Sequence, residues 1–325
     1  MMQRAVRHAI PRAVFRRVLE AIAVALILAT ICFALVHAIP GDMALRTAVS
    51  RLGVENTSPG AVEQIRESEM LSRPLIAQYG DWLGAVVTGD IGRSFVSGRP
   101  VAEELLGASG YTLRLAAIAW LLSYAFALPL GIAAGLAPNG ALDRATALAA
   151  AALSSLPTFM IGIALISVFV LSLDWLPPAG YRRPEHLVLP ALTLALGLMA
   201  PSVRIIRNAV VEVQDASYMT YARIRGFGRI KAFARHGLRN AGVPIVTFAA
   251  LQFAYLMDGF FVVETLFNYP GIGDAMVKAL LARDVPVVMG CALLIGTTYA
   301  GISLLAYLIC MALDPRLVDE GHGSR

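Results

Sequence analysis

Six long apolar stretches divide this 325-residue chain, and they limit its fold more than any other feature. They lie at approximately 20–39, 111–136, 145–172, 187–207, 241–263 and 286–313. A helix needs about 20 apolar residues to cross the hydrocarbon of a bilayer, and lipid offers no hydrogen-bond partner to an open backbone. We therefore expect an all-α, polytopic membrane protein with six transmembrane helices, each helical throughout, and with both termini on one side.

The composition supports this class. The chain is 58% hydrophobic and 15% charged, whereas soluble domains are about half apolar and about a quarter charged. Its net charge of +5 comes largely from two basic clusters beside apolar runs. Lys and Arg are favoured at such positions by lipid headgroups and by the charge rule that orients membrane helices. Membrane lipid is therefore an expected partner, and nucleic acid is not. Three cysteines inside apolar runs, Cys32, Cys291 and Cys310, have no paired spacing that suggests a disulfide framework or a metal site.

The two basic clusters also predict the orientation, because short cytoplasmic loops carry an excess of Lys and Arg. They lie at the N-terminus and between the fourth and fifth stretches, so both termini should be cytoplasmic. The first apolar run is too long for a cleavable signal peptide and is interpreted as an uncleaved span. The predicted regions are a basic N-terminus 1–19, a first span 20–39, an external region 40–110 with folded structure of its own, a five-helix core 111–313 that includes a cytoplasmic loop 208–240, and a cytoplasmic tail 314–325.

The loop between the fourth and fifth stretches has a helical pattern of its own. Two tyrosines, an alanine and an arginine share the spacing of one helix face: Tyr218, Tyr221, Ala222 and Arg225. Gly226 and Gly228 should end this short helix, and a second helix should then run into the fifth span. The aromatic face either enters a groove on another protein or places its tyrosines at headgroup depth in a positive-inside loop.

The segment "YMTYARIRGFGRIKAFARHGLRNAGVPIVT" resembles the cytoplasmic signature loop, or EAA motif, of permease subunits in bacterial binding-protein-dependent ABC importers. More narrowly, the chain is similar to the dipeptide, oligopeptide and nickel permease family. This likeness covers nearly the whole chain. It includes "GDIGRSF", "LPLGIAAG", "LPALTLAL", "FVVETLFNYPGIG" and "LDPR".

The resemblance implies a role for the loop. Its signature triplet falls on Thr220, Tyr221 and Ala222, and the helix within 217–228 would dock in a cleft of an ATP-binding subunit. The expected partner-coupling residues are Tyr218, Thr220, Tyr221, Ala222, Arg223, Arg225, Gly226 and Phe227. The triplet lacks the Glu and the first Ala of the generic motif, which leaves open which of these side chains make the contact.

The resemblance also implies partners and a location. These are two ATP-binding subunits, a second related permease that completes the pore, an extracytoplasmic solute-binding protein, and the cytoplasmic membrane of a bacterium. The substrate stays open among peptides, nickel or metal chelates and related small solutes. No Gly-x-x-x-x-Gly-Lys-Ser/Thr loop is present, so we expect ATP hydrolysis in a partner. No catalytic, cofactor-binding or metal-binding residue is predicted in this chain.

Two other functions compete with this one. A stand-alone secondary transporter often has inverted repeats, broken helices at the midplane and paired ionisable groups. The sequence shows no convincing repeat, and only Asp258 is a candidate ion or proton site. Asp258 is also the candidate pore-lining residue, although it could instead pair with another helix or be hydrated near the outer surface. More remotely, "GASG" at 107–110 matches an intramembrane serine protease, with Ser109 as the nucleophile and His37 as its base. The alternative is that Ser109 caps the second span.

Two patterns inside the spans predict helix geometry. The "GIAAG" segment, from Gly131 to Gly135, lets another helix approach closely, either within this subunit or in a partner permease. Pro129, Pro157 and Pro201 each leave a backbone carbonyl without its helical donor. Each break either serves as a hinge or is absorbed by neighbouring helices, and static kinks are the favoured prediction.

Overall fold

The computed structural model of the protein describes residues 2–38, 42–53, 57–68 and 72–313, although not every side chain within them. Thirteen α-helices follow one another in these ranges. They are α1 (Met2–Ala38), α2 (Met43–Leu52), α3 (Pro59–Ser68), α4 (Leu75–Val87), α5 (Val101–Leu136), α6 (Ala141–Ser154), α7 (Thr158–Ile166), α8 (Val188–Asp215), α9 (Ser217–Ile224), α10 (Arg229–Ala232), α11 (Leu238–Leu266), α12 (Ile272–Leu281) and α13 (Val285–Leu313). A π-helical segment, Ser167–Ser172, extends α7, and another, Phe233–Gly237, joins α10 to α11.

The all-α, polytopic class is confirmed. Four helices in the described ranges are long and apolar enough to cross a bilayer. They are Phe15–Ala34 within α1, α5 (Val101–Leu136), α8 together with the short 3₁₀ helix Pro184–Leu187 that precedes it (Pro184–Asp215), and Val285–Met311 within α13. A bent pair, Ala141–Ser154 with Thr158–Ser172, makes a fifth if it counts as one span. The continuous helix α11 covers the fifth predicted stretch. The number six therefore stays a prediction.

The third predicted span is not helical throughout, and that expectation is wrong. Its two halves are bent by 100° at a break between Ser154 and Thr158. Pro157 explains the break, because proline has no N–H to donate and disfavours helical geometry in the residue before it. The other two prolines, Pro129 in α5 and Pro201 in α8, lie inside continuous helices. The sequence pattern did not separate these two outcomes.

The second span starts earlier than predicted, which also corrects the expected role of Ser109. Helix α5 begins at Val101, so Ser109 lies inside it and donates its hydroxyl hydrogen to the carbonyl of Leu106 at 2.8 Å. It is therefore not an N-cap. Two acidic residues in the first turn, Glu103 and Glu104, suit the positive end of a helix dipole, which explains why the helix extends beyond the apolar run.

The chain forms two compact units. The first is built mainly from Leu113–Tyr269, with α8 against α6, α7 and α11. Helix α5 also approaches α8 closely, because a Cβ at Gly131 would lie 2.7 Å from Cβ of Ile206. A Cβ at Gly135 would lie 2.6 Å from Cβ of Val210. The "GIAAG" segment thus packs inside this subunit.

The second unit comprises Glu20–Thr112 and Pro270–Ala300. Helices α2, α3 and α4 lie within region 40–110, and the external location of this region stays a prediction. Its "GDIGRSF" segment is held by Asp284, which is 3% exposed. The Asp284 carboxylate accepts hydrogen bonds from the Ser94 hydroxyl, from the Phe95 N–H at 3.0 Å and from the Val96 N–H at 3.3 Å. A buried carboxylate therefore anchors this loop.

Candidate coupling surface

The short helix predicted in the basic loop is α9, and its C-terminus is closed by a glycine. Gly226 has a φ of +85°, which glycine adopts without steric penalty. Its N–H donates to the carbonyl of Arg223 at 2.9 Å, and the N–H of Phe227 donates to the carbonyl of Ala222 at 3.2 Å. These two bonds form a Schellman motif, so the predicted helix end is confirmed. The predicted second helix follows through α10 and the π segment into α11.

The inner face of α9 is part of the core of the first unit. Met219 is 0% exposed and Ala222 is 5% exposed. Both belong to one hydrophobic cluster with Val210 and Val213 of α8 and with Phe233 of the π segment. The same cluster continues into the membrane helices, to Tyr124 and Ala127 of α5 and to Ala241, Ile245 and Ala249 of α11. Apolar contacts thus join α9 to three long helices.

The outer face of α9 carries large apolar side chains. Tyr221 is 62% exposed, Tyr218 is 41% exposed and Ile224 is 78% exposed. They recur every three residues and form a stripe along the helix. The single face predicted from Tyr218, Tyr221, Ala222 and Arg225 is therefore wrong, because Ala222 points into the core while the other three side chains are exposed.

Two hydrogen bonds attach α9 to neighbouring helices. The guanidinium of Arg223, which is half-buried, donates to the backbone carbonyl of Gln214 in α8. The Asn240 side-chain amide donates to the Tyr218 hydroxyl at 2.8 Å, which connects α9 with α11. These bonds restrict the helix to one position against the bundle.

The remaining residues of the predicted coupling set lie around this surface. Thr220, Arg225 and Gly226 are exposed, and Phe227 is half-buried against the hydrophobic cluster. The guanidinium carbon of Arg225 lies 5.9 Å from the centre of the Tyr221 ring, a cation–π distance. We define the coupling surface as the exposed side chains of Tyr218, Thr220, Tyr221, Ile224 and Arg225. Ile224 was missed as a coupling residue, although its spacing from Tyr218 and Tyr221 was visible in the sequence.

A buried polar network lies within the same unit, and sequence reasoning missed it. The Gln252 side chain on α11 accepts a hydrogen bond from the Tyr124 hydroxyl at 2.9 Å and lies 2.8 Å from the Ser202 hydroxyl. Its amide donates to the Leu198 carbonyl of α8 at 2.8 Å. Buried polar groups of this kind stabilise one arrangement of helices, because any other leaves them unpaired. The sequence signal for this network was three isolated polar residues within apolar runs, Tyr124, Ser202 and Gln252.

Asp258 is the acidic candidate at membrane depth. The backbone of Asp258 lies in α11, but its side chain lies outside the described residues, so its role stays a prediction. Glu264, which follows in the same helix, is 0% exposed and was missed by the sequence reasoning. It sits within the quoted motif "FVVETLFNYPGIG", where a lone acid in an apolar run was the signal.

The proposed protease pair is not assembled. Ser109 donates to its own helix, as described above. One ring nitrogen of His37 lies 2.9 Å from the Phe33 carbonyl, and the other lies 3.4 Å from the Gln78 side-chain oxygen. Neither side chain is hydrogen-bonded to the other, as a nucleophile and its base would need to be.

The comparisons with known proteins agree with the importer interpretation. Residues 127–319 match the family model "Binding-protein-dependent transport system inner membrane component", and residues 10–116 match the corresponding N-terminal model. Similar proteins include the glutathione transport system permease protein GsiC of Escherichia coli (strain K12), and those of the same name from Salmonella choleraesuis (strain SC-B67) and Salmonella typhi. Each is 34% identical over 304 residues, which cover 94% of this chain and 98% of the relative.

These matches favour the importer over the stand-alone transporter and the protease. Proteins of this family are multi-pass components of the inner membrane and are not themselves catalytic, since a separate subunit hydrolyses ATP. They work with ATP-binding subunits and a solute-binding protein. The chain therefore belongs to the family of binding-protein-dependent transport system inner membrane components and is a permease subunit of an ABC importer.

Proposed function

We propose that this permease subunit imports a peptide-type solute and that its coupling surface docks on an ATP-binding subunit. Two ATP-binding subunits and a second related permease complete the transporter in this proposal. The substrate class rests on the similarity to permeases named for glutathione, which is itself a tripeptide. Nickel and metal chelates are the alternative cargo within the wider family.

The observation that carries the proposal is the division of α9 into two faces. Its outer face exposes Tyr218, Tyr221 and Ile224, and large exposed apolar side chains on a helix suit a groove on another protein. Its inner face places Met219 and Ala222 in the cluster shared with α5, α8 and α11. A displacement of α9 would therefore be transmitted to the membrane helices through packed side chains.

The mechanism follows from differential contacts. When ATP closes the partner subunits, their groove binds α9 better in one position than in another, and this difference shifts the equilibrium of the permease. The Arg223 and Tyr218 hydrogen bonds make α9 move together with α8 and α11. The Gln252 network bridges the same two helices further along, so it would couple their shift to the translocation path.

The coupling test uses the complete transporter reconstituted in proteoliposomes. Tyr221→Asp puts a charge on the outer face without touching the core, so we expect uptake to be lost while membrane insertion and the solute-binding step persist. Leu280→Asp is the matched control, because Leu280 is 62% exposed on α12, a helix of the other unit. Full uptake by Tyr221→Asp, with hydrolysis still coupled to solute, would refute the docking role.

The substrate test is uptake driven by the cognate solute-binding protein. A peptide-type solute such as glutathione or a dipeptide should compete with the transported ligand, and free nickel should not. Competition by nickel alone would replace the peptide assignment, but it would leave the coupling role intact.

The proposed orientation places the N-terminus, the tail and α9 in the cytoplasm. It is tested by single cysteines labelled in intact cells with a membrane-impermeant maleimide. Ser97→Cys should react from outside and Ser217→Cys should not, since both positions are exposed on opposite predicted sides. The three native cysteines are buried and supply a low background. The reverse pattern would invert the topology.

A further inference from the structure

A basic cleft lies between α6 and α8, in the part of α8 that precedes α9. It encloses about 320 Å³. Three arginines line it, Arg144 on α6 and Arg204 and Arg207 on α8, with Asp143 as the one acidic lining residue. The cleft carries a formal charge of about +2 once Asp143 is balanced against one arginine. This positive charge favours an anionic ligand.

One of the three arginines is already paired and rigid. The Arg207 guanidinium donates from Nε to one Asp143 oxygen at 2.9 Å and from Nη2 to the other at 2.8 Å. Asp143 is itself fixed by the N–H of Asn139, which donates to it at 2.8 Å. Such a bidentate pair holds both side chains in place. The pair forms one wall of the cleft and leaves the charge of the other two arginines unneutralised.

Arg144 and Arg204 are exposed, and no ion pair to either is found among the described residues. Guanidinium groups bind phosphate oxygens through paired N–H donors, so two of them at one cleft suit a phosphate group. The lining is also partly apolar, with Ala147, Ala150 and Val203 beside the polar Asn139, Thr146 and Asn208. The apolar part suits a ligand that carries hydrocarbon as well as negative charge.

Helix α6 also carries exposed apolar side chains outside the lining of the cleft. On α6, Leu148 is 73% exposed and Leu142 is 43% exposed. Helix α6 belongs to the bent pair that is apolar enough to enter the membrane. The arrangement therefore joins a cationic cleft to a surface suited to acyl chains, which is the amphipathic pattern of a phospholipid.

We propose that the cleft between α6 and α8 binds an anionic phospholipid, with the headgroup phosphate held by Arg144 and Arg204 and the acyl chains on the exposed leucines of α6. Arg207 positions the wall of the site through its pair with Asp143. The lipid would brace α6 against α8, the helix that continues into α9.

The test uses the complete transporter in nanodiscs that contain equal amounts of phosphatidylglycerol and phosphatidylcholine. Lipids retained after transfer to detergent are counted by native mass spectrometry. Wild type should retain phosphatidylglycerol in preference to phosphatidylcholine. Arg144→Gln with Arg204→Gln should lower that affinity about 30-fold, since each basic residue near an anionic lipid surface contributes a factor of about five in affinity.

The matched control is Arg182→Gln with Arg183→Gln. These arginines also line a cavity, of about 510 Å³, in the loop between α7 and α8, and removing them changes the net charge equally. The control should retain phosphatidylglycerol as wild type does. Equal retention by wild type and the Arg144/Arg204 variant would overturn the site, and so would equal loss in both double variants.

Free inorganic phosphate is the other ligand that could place a phosphate group between Arg144 and Arg204. Millimolar inorganic phosphate should not displace retained phosphatidylglycerol, whereas short-chain phosphatidylglycerol should. Displacement by phosphate alone would overturn the lipid assignment. If the double variant does not assemble, the melting temperature of wild type decides the question: phosphatidylglycerol must raise it more than phosphatidylcholine at the same concentration. An equal effect of the two lipids would count against the proposal.

Discussion

Two loops of this protein, one in each unit, are held in place by different means. The "GDIGRSF" segment is anchored by the carboxylate of Asp284, which comes from a distant part of the sequence and accepts hydrogen bonds from one side chain and two backbone N–H groups. The α9 loop is held by a local glycine cap and by apolar packing of Met219 and Ala222. In the first loop, both oxygens of the Asp284 carboxylate accept hydrogen bonds from the loop. In the second loop, the exposed apolar face of α9 stays available to a partner.

The comparison predicts that the anchored loop is the more sensitive to a single substitution. Asp284→Ala removes the acceptor of the buried Ser94 hydroxyl and of the half-buried Phe95 N–H, whereas the Val96 N–H also donates to the Ser94 oxygen and keeps that partner. We expect a loss of about 2–6 kcal/mol, because leaving each of these two polar groups unpaired costs about 1–3 kcal/mol. Thermal unfolding of the purified complex measures it. Asp284→Asn keeps an acceptor oxygen and should lose less, and equal melting of Asp284→Ala and wild type would contradict the anchor.

The inner face of α9 should come next. Met219 is fully buried, so Met219→Ala should cost about 2–4 kcal/mol through lost apolar burial and the cavity it leaves. Thr220→Ala is the matched control at the adjacent, exposed position and should change stability by less than about 0.5 kcal/mol. The measurement is again thermal unfolding. If both variants melt alike, α9 is not packed as described.

A smaller effect is expected where α8 meets the π segment. A Cβ at Gly237 would lie 2.6 Å from the Phe233 ring and 2.9 Å from a Val213 methyl group. Gly237→Ala should therefore cost about 1–3 kcal/mol through overpacking. Gly242→Ala in α11 is the control, since a Cβ there meets nothing within 4 Å. The order of the two melting temperatures decides the point, and a less stable Gly242→Ala would contradict this packing.

The smallest effect concerns the cap of α9. Gly226→Ala meets no neighbour within 4 Å, but it places a side chain at a φ of +85°, which should cost about 1 kcal/mol. Gly228→Ala is the control, because Gly228 has a φ of −65° and equally open surroundings. Gly226→Ala should also lower uptake at unchanged ATPase binding. Identical uptake and melting for the two variants would show that the cap is dispensable.

Several parts of this picture were predictable from the sequence. Hydrophobic runs indicated the membrane class, and glycine positions indicated where α9 ends, because both depend on local chemistry. The direction of the α9 faces was not predictable, since helical spacing groups Ala222 with Tyr221 without saying where α8 lies. The effect of each proline on its helix was not predictable for the same reason. Pro157 breaks its helix and Pro201 does not, although each proline lacks the N–H that a helix interior requires.

The amino-acid sequence by itself determined that the chain enters a membrane, that a basic loop contains a short glycine-ended helix, and to which family it is similar. Tertiary structure alone decided that Met219 and Ala222 turn inward, that Asp284 anchors a loop nearly two hundred residues away, and that Arg144 and Arg204 share one cleft. The physical reason is that hydropathy and backbone preference act between near neighbours. Hydrogen bonds, close packing and charge pairing depend instead on which distant segments meet.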